Sequence, residues 1–165
     1  MNLPDIHILL ADDHQIILDG LVTMFAEDSQ IKILGQANNG REAVELTRLL
    51  KPQLVLMDLN MPEMNGMEMC KLLKKEVATS HIPIILLTAL NETSYKVEGI
   101  QIGADVYLEK PFEIKVLKAY IQNLIAVRQQ LRNRFQSTTV TESPKKEEYP
   151  NPIDHEFIEK INAII

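Results

Sequence analysis

Three stretches of this sequence are apolar with almost no alternation: residues 6–11 (Ile-His-Ile-Leu-Leu-Ala), 54–57 (Leu-Val-Leu-Met) and 82–88 (Ile-Pro-Ile-Ile-Leu-Leu-Thr). A strand with one face in water alternates apolar and polar residues; one covered on both faces does not. Such runs therefore demand a parallel sheet sandwiched between helices. Two shorter candidates, 31–37 and 105–109, complete five strands, and Pro83 is tolerable at a strand's first positions.

The intervening segments carry apolar residues at helical spacing. Residues 14–28 present Ile17, Leu18, Leu21, Val22, Met24 and Phe25. Residues 41–50 present Ala43, Val44, Leu46 and Leu50, after the turn Asn38-Asn39-Gly40 and before the stop Lys51-Pro52. Residues 65–77 present Met67, Cys70, Leu72 and Leu73. A weaker helix is expected over 92–102, closed by Gly103, and a long one over 113–134 with Val116, Leu117, Tyr120, Ile121, Leu124, Ile125, Val127 and Leu131. Five strands alternating with five helices predict an α/β, flavodoxin-like (βα)5 doubly wound sheet in the order 2-1-3-4-5.

In that topology ligands bind beyond the carboxyl ends of the strands, at the point where strand order reverses. The first strand ends in Asp12-Asp13, the third in Asp58, the fourth in Thr88, and the fifth leads into Lys110. Asp58 alone could simply cap the turn that follows. Three carboxylates in one crevice need a counter-charge. Mg²⁺, a hard cation that takes one or two carboxylates, would supply it, and Lys110 adds a point charge suited to phosphate. A carboxylate, a cation, a lysine and a hydroxyl together can accept a phosphoryl group.

Composition narrows the alternatives. The net charge of −6 argues against nucleic-acid binding by this stretch itself. The single cysteine, Cys70, excludes an internal disulfide and reads as a packed thiol. Neither a signal peptide nor a membrane span is visible, and a cytoplasmic setting without membrane contact is expected. His7, His14, His81 and His155 share no metal-ligand spacing and read as solvated or capping residues; Lys71, Lys74 and Lys75 read as a solvated helix face. Met57, Met67 and Met69 fit core packing.

Taken together, Asp12-Asp13, Asp58-x-x-Met61-Pro62 with Gly66, Thr88-Ala89, and Gly103-Ala104-Asp105 followed by Tyr107 and Lys110-Pro111-Phe112 make residues 6–128 resemble a response-regulator receiver domain of two-component signalling. The resemblance implies that Asp58 takes a phosphoryl group from a histidine kinase. It implies direct Mg²⁺ ligation by Asp13 and Asp58, a contribution from Asp12 mainly through water, and one from the backbone carbonyl of Asn60. It also implies a cis Lys110-Pro111 peptide and a switch pair, Thr88 and Tyr107, that reshapes the face of the fourth helix, fifth strand and last helix. The resemblance implies signalling rather than enzymatic turnover. Asn60 and Leu90 match positions that tune phosphate lifetime, and apolar Leu90 predicts a phosphorylated state lasting minutes or longer.

Domain organisation is expected as a receiver over 1–135, a linker over 136–152 rich in Ser, Thr, Glu, Lys and Pro, and the start of a truncated output domain over 153–165. The exit helix and the closing segment resemble hybrid regulators with an AraC-type helix-turn-helix domain; Ile8 to Gln15 equally resembles regulators with another helix-turn-helix type. DNA contact would come only through that output domain, and phosphorylation would drive homodimerisation. Three rivals remain. A stand-alone receiver would act by protein contact. An aspartyl-phosphate hydrolase wants an acid where Asn60 stands. A flavin or nucleotide module wants a Gly-rich loop that does not follow the first strand.

Overall fold

The computed structural model describes residues 4–89 and 103–138. In chain order these form β1 (Ile6–Ala11), α1 (Gln15–Ala26), β2 (Ile31–Ala37), α2 (Gly40–Leu50), β3 (Leu54–Asp58), α3 (Gly66–Lys75), β4 (Ile84–Thr88), β5 (Val106–Glu109) and α4 (Ile114–Thr138). The helix expected over 92–102, Leu90, His155 and the segment 153–165 lie outside the described residues. All strand pairings are parallel, in the order β2-β1-β3-β4-β5, the flavodoxin-like arrangement expected. The chain divides into two compact units, Met1–Gln130 and Leu131–Ile165, and the sheet belongs to the first. In the second, residues 131–138 are helical, and the apolar Leu131 and Phe135 are exposed. Helical structure thus reaches three residues into the stretch read as linker, because no proline or glycine intervenes between Lys110-Pro111 and Thr138.

The unbroken apolar runs have the cause inferred for them. Every residue of β3 and β4 is buried. Alternate residues of each strand feed opposite layers. Leu9, Ala11, Val55, Met57, Ile84 and Leu86 pack with Ala43, Val44, Met67, Met69, Cys70 and Leu73 on one side. Ile6, Ile8, Leu10, Leu54, Leu56, Ile85 and Leu87 pack with Leu18, Leu21, Phe25, Leu117, Ile121 and Ile125 on the other. Met24 departs from the expected stripe and is exposed, as are Val116, Tyr120 and Val127. At helical spacing a line of apolar residues wider than the contact leaves its margins in water.

β2 carries one irregularity. Its pairing with β1 slips by one residue between Ile8 and Leu9, leaving Leu34 without a place in the ladder. Without the slip, positions 31, 33, 35 and 37 would all face one way. With it, Ile31 and Ile33 join the layer under α1, whereas Gly35 lies under Leu46 and Leu50 of α2 and Ala37 joins the α2 layer. The small residues beneath α2 and the large ones beneath α1 are sorted by this bulge.

The helix ends are locally encoded. Asn39 caps α2 through the Glu42 amide at 2.8 Å. Asn65 and Glu68 form a reciprocal capping box at the start of α3. Lys74 corrects the expectation of a solvated lysine face. Lys71 and Lys75 are exposed, but Lys74 Nζ donates to the Ile82 carbonyl at 2.8 Å and to Asp105 at 2.9 Å. Asp105 also accepts from the Ile84 amide and from Arg128, tying α3, β4, β5 and α4 at one junction. Among the described residues no helix is long and apolar enough to cross a membrane.

Two outcomes follow from this framework. Deleting Leu34 should cost less than about 1 kcal/mol, because it removes the extra residue and leaves Ile31 and Ile33 in the α1 layer and Gly35 and Ala37 in the α2 layer, while deleting Gln36 from the regular part of the strand should cost more than about 3 kcal/mol by turning Ala37 out of its layer; denaturant unfolding checks both, and equal costs would remove the bulge argument. Asp28 accepts from the Gln30 amide at 3.0 Å and pairs with Lys118 at 3.2 Å, which together hold its carboxyl below 3.8 despite some desolvation. A depressed carboxylate contributes stability above its unfolded value and loses it as pH falls through the folded one. Asp28→Asn should therefore destabilise by about 0.5–1 kcal/mol at neutral pH, and the gap to the parent should close as pH falls through the depressed folded-state value.

Candidate functional site

β1 and β3 are neighbours, while the chain leaves β1 to form β2 on its other side; the order reverses between them. Ala11 pairs with Met57, so the next residue on each strand, Asp12 and Asp58, emerges at the same edge. Both are buried, at 1% and 6% exposure. Asp12 extends the ladder through its amide to the Ala37 carbonyl. The Asp58 carboxylate accepts from the Asn60 amide at 2.9 Å, which anchors the first turn of the following loop.

Lys110 supplies the counter-charge. Its ammonium lies 2.6 Å from Asp58 Oδ1 and 3.2 Å from Asp12 Oδ2. It is aimed there by its amide, which donates to the Thr88 carbonyl at 2.7 Å, and it precedes Pro111 through a cis peptide. Burial pushes the Asp58 carboxyl above its usual range, and nearby Asp12 adds to this; the hydrogen bond and charge of Lys110 pull back without cancelling it. Burial works against the Lys110 ammonium too, but Asp58 and Asp12 hold its pKa above the usual lysine value.

Asp13 is exposed and is reached through His14, whose Nδ1 is 3.1 Å from both Asp12 Oδ1 and Asp13 Oδ1. The sequence reads His14 as a solvated or capping residue, and it does stand at the N-cap of α1, though without a side-chain cap bond. It is exposed, yet it belongs to the acidic cluster, its amide also donating to Asp12 at 2.8 Å. Its place directly after the two acids was the available signal. Asp12, Asp13 and His14 offer ligand atoms within 4.8 Å of one another. Three carboxylates against one ammonium leave negative charge that a hard divalent cation with oxygen ligands would balance. The donor set fits such an ion.

Thr88 ends β4, is buried, and sits opposite Glu109 in the ladder. Tyr107 is half-buried in β5; its hydroxyl donates to Met67 Sδ at 3.9 Å and burial pushes its pKa up to about 12. Asp12, Asp58 and Lys110 are thus in direct contact, Asn60 joins through its backbone, and the Tyr107 hydroxyl rests on α3. Cys70 is fully buried and burial lifts its thiol to about 11, as an inert packed thiol requires.

A profile of the response regulator receiver domain matches residues 8–122. The chain belongs to this family: it carries a receiver domain of two-component signalling. It is similar to histidine kinase P4 of Formosa agariphila, 37% identical over 128 residues that cover 78% of this chain and 9% of that protein. It is also similar to the transcriptional regulatory protein YdfI of Bacillus subtilis, 44% identical over 62% of this chain and 47% of that protein. The chain spans under half the length of either relative. Among solved structures, the Francisella response regulator 1452 receiver domain superposes with a TM-score of 0.67 at 33% identity, covering 74% of this chain and 98% of that one.

Removing the ammonium should expose the cost of the buried acids. Lys110→Ala should lose about 3 kcal/mol at neutral pH without divalent cations, since Asp12 and Asp58 then face each other uncompensated. Because the Asp58 pKa is raised in the folded state, its charge costs stability above that pKa and the cost fades as pH falls through it. Most of the loss should therefore return as pH is lowered into the range where Asp58 takes up its proton, or on adding Mg²⁺. An equal loss under all three conditions, read by urea unfolding, would contradict the electrostatic account.

Proposed function

We propose that Asp58 is the phosphate acceptor of a cytoplasmic phosphorelay, receiving a phosphoryl group from the phosphohistidine of a histidine kinase. The observation that carries this is the buried Asp58 carboxylate held 2.6 Å from the Lys110 ammonium, with Asp12 beside it. An Asp58 oxygen attacks phosphorus as the phosphorus–nitrogen bond to the kinase histidine breaks, leaving an acyl phosphate. Lys110, already shared between two carboxylates, neutralises charge on the transferring oxygens. The Thr88 hydroxyl donates to one of them.

Asp13 and Asp58 would hold Mg²⁺ directly, with Asp12 acting mainly through water and Asn60 through its carbonyl; the bound ion supplies charge stabilisation to the phosphoryl oxygens. Phosphorylation adds about −1.5 to −2 charge. As Thr88 turns toward it, Tyr107 leaves Met67 and swings inward, and the surface around β5 and α4 changes to favour a homodimer. The domain itself signals rather than turning over a substrate. Its output is transcriptional, through a DNA-binding domain outside this sequence; the regulator YdfI favours that reading. The kinase relative favours the alternative, a receiver acting by protein contact within a relay. Asn60 stands where a hydrolase would need an acid, and apolar Leu90, which lies outside the described residues, supports a long-lived phosphorylated state.

Incubation with acetyl phosphate and Mg²⁺ followed by intact-mass analysis tests the assignment. The parent should gain one phosphoryl group; Asp58→Asn, or the parent with a chelator, should gain none while remaining folded. Uptake by Asp58→Asn at the parental rate would sink it.

A further inference from the structure

Gly40, the first residue of α2, is buried. Turn geometry does not require glycine there: among the described glycines only Gly103 has a left-handed φ, of 91°. What Gly40 lacks is a side chain. A Cβ would stand 2.1 Å from the carbonyl oxygen of Met64 and 2.9 Å from its carbonyl carbon. That obstacle is backbone, which no rotamer change relieves.

Met64 belongs to the loop that leaves Asp58 and carries Asn60. The loop is pinched at its base by the Gly66 amide on the Leu59 carbonyl at 2.9 Å, and turned within by the Met64 amide on the Pro62 carbonyl at 2.7 Å. Glu63 holds a left-handed φ of 64°, a conformation costly for a residue with a side chain, and its carboxylate lies 3.8 Å from Arg41, the residue after Gly40. The opening turn of α2 is therefore the wall against which this loop is seated. The wall cannot retreat: Ala43, Val44 and Thr47 are buried behind it, and Asn39 caps it. A residue added at position 40 would displace the loop instead.

We infer that Gly40 is a positioning residue of the site: its bare backbone lets α2 seat the loop, and so fixes where the Asn60 carbonyl stands and how tightly the site holds its divalent cation. This rests on the reading of Asn60 as a ligand given above. Alanine is a good helix former, so an effect of Gly40→Ala does not arise from α2 propensity.

Calorimetric titration of the full chain with Mg²⁺ tests it, alongside thermal unfolding. Gly35→Ala is the control: its Cβ would meet the flexible ends of Leu50 and Leu9 at 3.0 and 3.3 Å, crowding α2 far from the loop. Gly40→Ala should weaken Mg²⁺ binding by about tenfold or more, as loss of a ligand's support does, while Gly35→Ala stays within about twofold of the parent. Parental affinity in Gly40→Ala overturns the inference. Should that variant not fold, Glu63→Val disturbs the same seat from the loop side, since a β-branched residue strongly disfavours the left-handed φ that position 63 holds on this exposed turn; it should bind Mg²⁺ several-fold more weakly, and unchanged affinity overturns the inference equally. Failure of the parent to bind Mg²⁺ removes the Asn60 ligand reading itself, a result distinct from the variants matching a parent that binds.

Discussion

The Lys110 ammonium between Asp58 and Asp12 is the interaction on which the rest of the site depends. Two carboxylates at 6% and 1% exposure would not both stay charged side by side without it. It is a balance held short of satisfaction, since Asp58 remains above its usual pKa even with the lysine 2.6 Å away. A site poised in this way gains from any ligand that brings more positive charge to the acids, and in the proposed function its lysine passes to an incoming phosphoryl group. The chemistry proposed for Asp58 uses that imbalance.

The fold supplies the geometry with little freedom. Parallel pairing of Ala11 with Met57 puts Asp12 and Asp58 at one edge, and the Thr88 carbonyl aims the segment that carries Lys110. Behind this edge, the two apolar layers hold β3 and β4 fully buried, so the strand ends have no room to drift. The loop after Asp58 is bounded by Gly40 and by its own closing hydrogen bonds. Rigid strands with a seated loop are the pre-organisation that a charge-accepting site needs.

Strand order and the residues that meet in the crevice were legible in the sequence because each rests on a local signal: non-alternating runs, helical spacing, and acids at strand ends. What escaped was decided between segments. The Leu34 bulge depends on the register of β2 against β1, and nothing within Ile31–Ala37 announces it. Lys74 looked like one of three surface lysines until the start of β5 brought Asp105 to it. His14 sat beside the acids in sequence, but its bridging position follows from how the chain turns after β1. Gly40 passed for a turn glycine because its neighbour, Met64, comes from another loop.

The central claim is that one particular carboxylate becomes an acyl phosphate. Phosphorylating the chain with a small donor and Mg²⁺, reducing it with tritiated borohydride and sequencing its labelled peptides would locate that carboxylate directly. The account predicts label at position 58 alone. Label at Asp12 or Asp13, or none in a protein that had taken up phosphate, would contradict it.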